Sequence, residues 1–132
     1  MKKFLVLMII SILVGQNNLN LFTIDTRPRL LDGNIVQVNI QIDNNSRIAV
    51  RQLEGFLSVH GQSREIINEQ RVIIVSGIEP VLNDGKSVTK SLNFPYDPVT
   101  VRDYSFHISK IKFIGDYRIY AYHPPNKLVR ID

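Results

Sequence analysis

The 132-residue chain contains no cysteine and no tryptophan. The first absence excludes disulfides, thiolate zinc sites, a cysteine nucleophile and a lipid-anchored cysteine at the end of a leader. The second removes the buried tryptophan that marks antibody domains. Concentrated charge is missing too. The formal +4 falls to +2 once Lys2 and Lys3 are set aside with the N-terminal segment, and the other basic residues are dispersed. Nucleic-acid binders carry a basic stripe interleaved with stacking aromatics, so no nucleic-acid partner is expected. No apolar run approaches the roughly 20 residues that a spanning helix needs.

The longest apolar run, Phe4 to Val14, is interrupted only by Ser11 and follows Met1-Lys2-Lys3. A short positive start, an apolar stretch of roughly 7–15 residues and polar Gln16-Asn17-Asn18 form the pattern of a secretory leader. Residues 1–18 are therefore expected to be a signal peptide, cut near Gly15, with Leu13 an imperfect fit to the small-x-small rule. Residues 19–132 are expected to form one domain, periplasmic or secreted, with no integral membrane span after cleavage. That length buries a core without metal or disulfide help.

Past the leader, apolar residues recur at every second position, as in half-buried strands. Val36, Val38, Ile40 and Ile42 alternate with Gln37, Asn39 and Gln41, and the run ends in Asp43-Asn44-Asn45-Ser46, a set of turn formers. A second strand spans Ile48 to His60, with Leu53, Leu57 and Val59 on one face; Gly55 in its middle predicts a bulge or a close contact. His60-Gly61-Gln62-Ser63 reads as a hairpin turn. The run Val72 to Val75 reads as a strand covered on both faces, preceded by Glu65 to Arg71 as either strand or helical turn. Asn83-Asp84-Gly85-Lys86 is a turn, and the strand after it is broken in parity by Lys90, as on an edge. Tyr104, Phe106 and Ile108 share one parity and Ile111 and Phe113 the other, which predicts a β-bulge near Ser109. Gly115-Asp116 turns the chain into a strand from Tyr117 to Tyr122, closed by Pro124-Pro125, with a short strand from Leu128 to Ile131 at the end. Without crossover helices this spacing predicts an all-β fold, an immunoglobulin-like antiparallel β-sandwich of six to seven strands.

The stretch from Val36 to Phe94 resembles the FxLYD family and its relatives, the late-embryogenesis-abundant and water-stress (WHy) domains. The matching features are Val38-Asn39-Ile40-Gln41-Ile42-Asp43-Asn44-Asn45-Ser46, then Leu53-Glu54-Gly55-Phe56-Leu57-Ser58-Val59, Ile66-Ile67, Val72 to Val75, and Asp84-Gly85-Lys86-Ser87-Val88-Thr89. The name-giving Phe-x-Leu-Tyr-Asp string does not occur. The resemblance implies a non-catalytic extracytoplasmic module and brings no catalytic residues.

Little in the chain points to chemistry. His60, His107 and His123 lie far apart and lack ligand-spaced partners, so no metal or other cofactor is expected. No Gly-x-Ser-x-Gly elbow is present, and Asp43, Asp84, Asp97 and Asp116 sit in turn contexts, so the protein is not expected to be an enzyme. Asn44-Asn45-Ser46 fits the N-glycosylation pattern and equally an ordinary turn; the turn reading is preferred. Two features suit a partner instead. Tyr120 and Tyr122 share a parity opposite to Tyr117 and Ile119, so one of these pairs is a candidate for the outside. Lys110 and Lys112 have the spacing of one strand face. These four residues, Tyr120, Tyr122, Lys110 and Lys112, are the candidate contacts for another envelope or secreted protein, within a surface or secretion assembly. The alternative is a binding module for an anionic glycan or lipid head group, led by the same lysines.

Overall fold

The computed structural model describes residues 20–100 and 102–132, so the expected leader and its cleavage site lie outside the described residues. Eight strands follow one another: β1 (Phe22–Leu31), β2 (Ile35–Asn44), β3 (Val50–His60), β4 (Ile66–Val75), β5 (Ser87–Pro95), β6 (Asp103–Phe113), β7 (Tyr120–His123) and β8 (Lys127–Arg130). They form two antiparallel sheets, ordered β1-β2-β5 and β4-β3-β6-β7-β8. The chain crosses between layers after β2, β4 and β5, in the Greek-key manner of immunoglobulin-like sandwiches. The fourth strand stays beside β3 rather than joining β5. No helix among the described residues is long and apolar enough to cross a membrane.

The alternation in β2 is translated directly into the core: Val36, Val38, Ile40 and Ile42 are all buried, each contributing about 1.5–3 kcal/mol by leaving water. Facing them are Leu53, Leu57 and Val59 of β3 and Phe106, Ile108, Ile111 and Phe113 of β6. The parity change in β6 has the predicted cause. Glu54 pairs with Lys110 and Gly55 with Ile108, leaving Ser109 as the extra residue of a bulge. Gly55 lies where a side chain has no room, since an added Cβ would sit 2.0 Å from the His107 carbonyl oxygen.

Three expectations need revision. The strand count rises to eight because of β1, which Asp25, Arg27, Pro28 and Arg29 conceal by breaking the alternation. A strand with a single neighbour tolerates charges and a proline, and among the described residues β1 pairs only with β2. The run Val72 to Val75 is not covered on both faces. Val72, Ile74 and Val75 are buried while Ile73 is 47% exposed, because the register steps from Leu53–Val75 to Glu54–Ile73 and Ile74 is the extra residue. Two consecutive inward side chains therefore report a bulge. Lastly, the strand expected from Tyr117 begins only at Tyr120, since the Asp116 carboxylate accepts from the Arg118 N–H at 2.9 Å and holds the preceding residues in a turn.

Candidate functional site

Of the four candidate contacts, Tyr122 belongs to the core. It is 5% exposed, packs edge-on against Phe22 at 5.3 Å, and donates its hydroxyl to the carbonyl oxygens of Pro125 at 2.7 Å and Phe22 at 3.3 Å. Tyr120 points to the same side. Its ring lies 5.8 Å from Phe113 and its hydroxyl donates to Asp116 at 2.8 Å. The tyrosine on the outside is Tyr117, 72% exposed. Tyr120 and Tyr122 face inward because their side of β7 is the one that meets Phe113 and Phe22.

Lys110 and Lys112 do reach the surface. Beyond the Ser109 bulge they stand on the outer face of the five-stranded sheet, opposite Glu54 and Gln52 of β3. With Arg71 and Ile73 of β4 they line an open groove of about 240 Å³, whose apolar side includes Ile119. Arg71 donates to Glu54. That hydrogen bond, and behind it the charges of Arg71 and Lys110, holds the Glu54 carboxyl below the usual carboxylate range against an opposing contribution from burial.

The groove leads onto β4, which the sequence reading did not single out as a site. Among the described residues, β4 pairs with β3 on one side and has no strand on the other. Its final residues Ile74 and Val75 border a crevice shared with Ser87 and Val88 of β5. Its first six residues, Ile66 to Arg71, are exposed without alternation. Ile66 (58%), Ile67 (46%) and Ile73 (47%) are therefore apolar side chains on an uncovered edge. The signal was present in the sequence: a polar quartet, Asn68-Glu69-Gln70-Arg71, between Ile67 and Val72 has no buried parity and fits an exposed edge strand.

Other chemistry-bearing residues have structural employment. Nε2 of His60 lies 2.9 Å from the Ser105 hydroxyl, His107 stacks on Phe56 at 5.7 Å, and no group of three or more His, Asp and Glu among the described residues is arranged to hold a metal. Asn44 is fully buried, and its amide nitrogen donates to the carbonyl oxygens of Ile48 and Leu82, each at 2.9 Å. In the folded chain that amide is a strut for the turn and is out of reach of a glycan-transferring enzyme. A second surface hollow, about 320 Å³, lies at one end of the sandwich between Leu30, Tyr96 and Tyr104, and burial pushes the Tyr104 hydroxyl above the usual tyrosine range.

No protein-family model and no curated protein sequence matches the chain. Among solved structures it is similar to the crystal structure of a Bordetella pertussis protein carrying the name ApaA, with a TM-score of 0.53 and 13% identity over 84% of this chain and 88% of that one. At such low identity the likeness is one of fold, and the sandwich architecture is what the two chains share.

Proposed function

We propose that this protein is a non-catalytic, exported β-sandwich that binds another protein of the cell envelope by strand pairing along β4, as part of a surface or secretion assembly. The observation that carries this reading is the open edge of β4, flanked by three exposed isoleucines. Unpaired N–H and C=O groups on an edge accept a partner strand, and the neighbouring side chains supply the selectivity. Export is supported by the leader pattern of the first 18 residues and by the FxLYD-like arrangement from Val36 to Phe94. The test is a photo-crosslinking amino acid placed at Gln70, with Ile78 as control because it is 96% exposed but lies on a loop. Adducts with an envelope protein are expected from Gln70 and not from Ile78. Equal labelling from both positions would discard the β4 reading.

The groove beside Lys110, Lys112 and Arg71 favours a second reading, recognition of an anionic glycan or lipid head group. Attraction between solvated charges is screened by salt. On this reading, retention on an immobilised anionic polysaccharide falls steeply as salt rises and is lost in Lys110→Glu/Lys112→Glu. Strand pairing is indifferent to both changes.

A further inference from the structure

We infer that the partner strand at β4 is β4 of a second copy of this chain, paired antiparallel about a two-fold axis through Gln70. The inference rests on the strand-pairing reading of β4 and seats a second copy of the chain on that edge in place of a different envelope protein.

Between the bulges at Ile67 and Ile74, β4 is regular and pairs with β3 residue by residue. In an antiparallel pair, residues directly opposite each other share a face. A symmetric pairing of regularly extended strands must therefore be centred on a residue, and the polar stretch offers few centres. Centred on Glu69, two like carboxylates meet on the axis and Arg71 faces Ile67. Centred on Arg71, two guanidiniums meet and Glu69 faces Ile73. Centred on Gln70, Glu69 faces Arg71 of the other copy, twice by symmetry, and two Gln70 amides meet as donor and acceptor on the axis. The same register brings Ile73 of each copy opposite the Ile66–Ile67 end of the other, so apolar groups exposed in the single chain cover one another. Opposite charges across a strand pair are favourable and like charges unfavourable. The sequence of this edge is thus self-complementary in the register that the two-fold requires. In the single chain Glu69 accepts from the Ser58 hydroxyl at 3.2 Å and Arg71 donates to Glu54, both on β3, so the two charges sit on the outer face of the sheet and pairing across the seam adds a second partner to each. The product is isologous: two five-stranded sheets join into one continuous sheet, and both β4 edges are closed at once.

The experiment is sedimentation equilibrium on protein recovered from expression of the full-length chain, over about 5 to 500 µM because self-association follows mass action. The wild type is expected to shift from monomer to dimer across that range. Glu69→Lys sets an ammonium against Arg71 of the other copy, and Arg71→Glu sets two carboxylates together; each is expected to dimerise roughly tenfold more weakly. An equimolar mixture of the two variants restores both opposite-charge pairs and is expected to form heterodimers. The double exchange Glu69→Lys/Arg71→Glu is expected to dimerise like the wild type, and it keeps the test open if a single variant lacks a cooperative melt. Dimers indifferent to these charges, or variants that fail to recover on mixing, overturn the inference. A wild type that stays monomeric overturns it too. If the Gln70 crosslinker still captures a different envelope protein from that monomer, strand pairing with that protein stands; if it captures nothing, both readings fall.

Discussion

β2 and β4 are strands of ten residues each, and both are rich in isoleucine and valine, yet they fare differently. In β2 the core positions Val36, Val38, Ile40 and Ile42 are at most 8% exposed, whereas Ile66, Ile67 and Ile73 of β4 are 46–58% exposed. β2 lies between β1 and β5 and its inner face meets the opposing sheet; among the described residues β4 has one strand neighbour, and its first half is exposed at every position. Hydrophobicity alone does not decide burial: a flanking strand and a covering layer do. The sharpest way to break this contrast is to truncate one isoleucine in each strand. Ile40→Ala, at a site with no exposure, is expected to cost about 2–5 kcal/mol through lost transfer energy and a residual cavity. Ile73→Ala is expected to stay within about 0.5 kcal/mol. Urea denaturation of both variants at about 5 µM, the monomeric end of the dimerisation range, checks the pair, and comparable losses would mean that the β4 edge is covered in the single chain.

The end of β2 offers the next largest effect. Asn44 uses both faces of its amide: the nitrogen supports the Ile48 and Leu82 carbonyls, and Oδ1 accepts from the N–H of Ser46 at 3.0 Å and from its hydroxyl at 2.6 Å. Asn44→Ala removes these bonds, although the Leu82 carbonyl keeps the Val50 N–H at 2.8 Å and the Ile48 carbonyl keeps the Ser46 hydroxyl at 3.0 Å, and is expected to cost about 1–3 kcal/mol. Asn44→Asp, which sets a buried carboxylate against the Ile48 and Leu82 carbonyl oxygens, is expected to cost at least as much at neutral pH, and wild-type stability in that variant would show that the two bonds contribute nothing.

Where the sequence was readable and where it was not follows the same divide. Strands with a strict inside and outside announced themselves: β2 by alternation, β6 by a parity change that located the Ser109 bulge, and the turn at Gly85 by the need for positive φ, observed at 77°. Elements at the rim did not. β1 accommodates Asp25, Arg27, Pro28 and Arg29 because its outer edge meets no other strand among the described residues, and the exposed half of β4 has no period to detect. The tyrosines show the other limit. Parity grouped Tyr120 with Tyr122, but choosing the inward group needed Phe22, a hundred residues earlier in the chain, whose ring and carbonyl receive Tyr122.

That long-range contact gives a smaller, pH-dependent prediction on the closed side of the comparison. Tyr122→Phe keeps the ring against Phe22 and loses the hydroxyl bonds, for about 0.5–1.5 kcal/mol at neutral pH. Burial pushes the Tyr122 hydroxyl above the usual tyrosine range. The folded chain therefore holds this proton more tightly than the unfolded chain, and the corresponding stability, complete below about pH 10, is lost as pH rises through the folded-state value. The wild type should weaken more steeply than Tyr122→Phe on the alkaline side, while Tyr104, also raised by burial, keeps part of the slope in both. Parallel urea midpoints across that range would place Tyr122 in contact with water.

The smallest effect is expected on the open side, from Glu54→Gln. Glu54 is largely covered but its partner Arg71 is 59% exposed at the side chain, so solvent screening keeps the contribution of the pair small. The hydrogen bond from Arg71 lowers the folded-state value of Glu54. Its contribution is accordingly present above the ordinary glutamate value of about 4.3 and disappears as pH falls through the lowered one. The difference in urea midpoint between wild type and Glu54→Gln should be small at neutral pH and close on acidification. A large or pH-independent difference would show that Arg71 is held in a dry contact, and that the exposed half of β4 is shielded in solution by a neighbour, a second copy of the strand being the one whose charges fit.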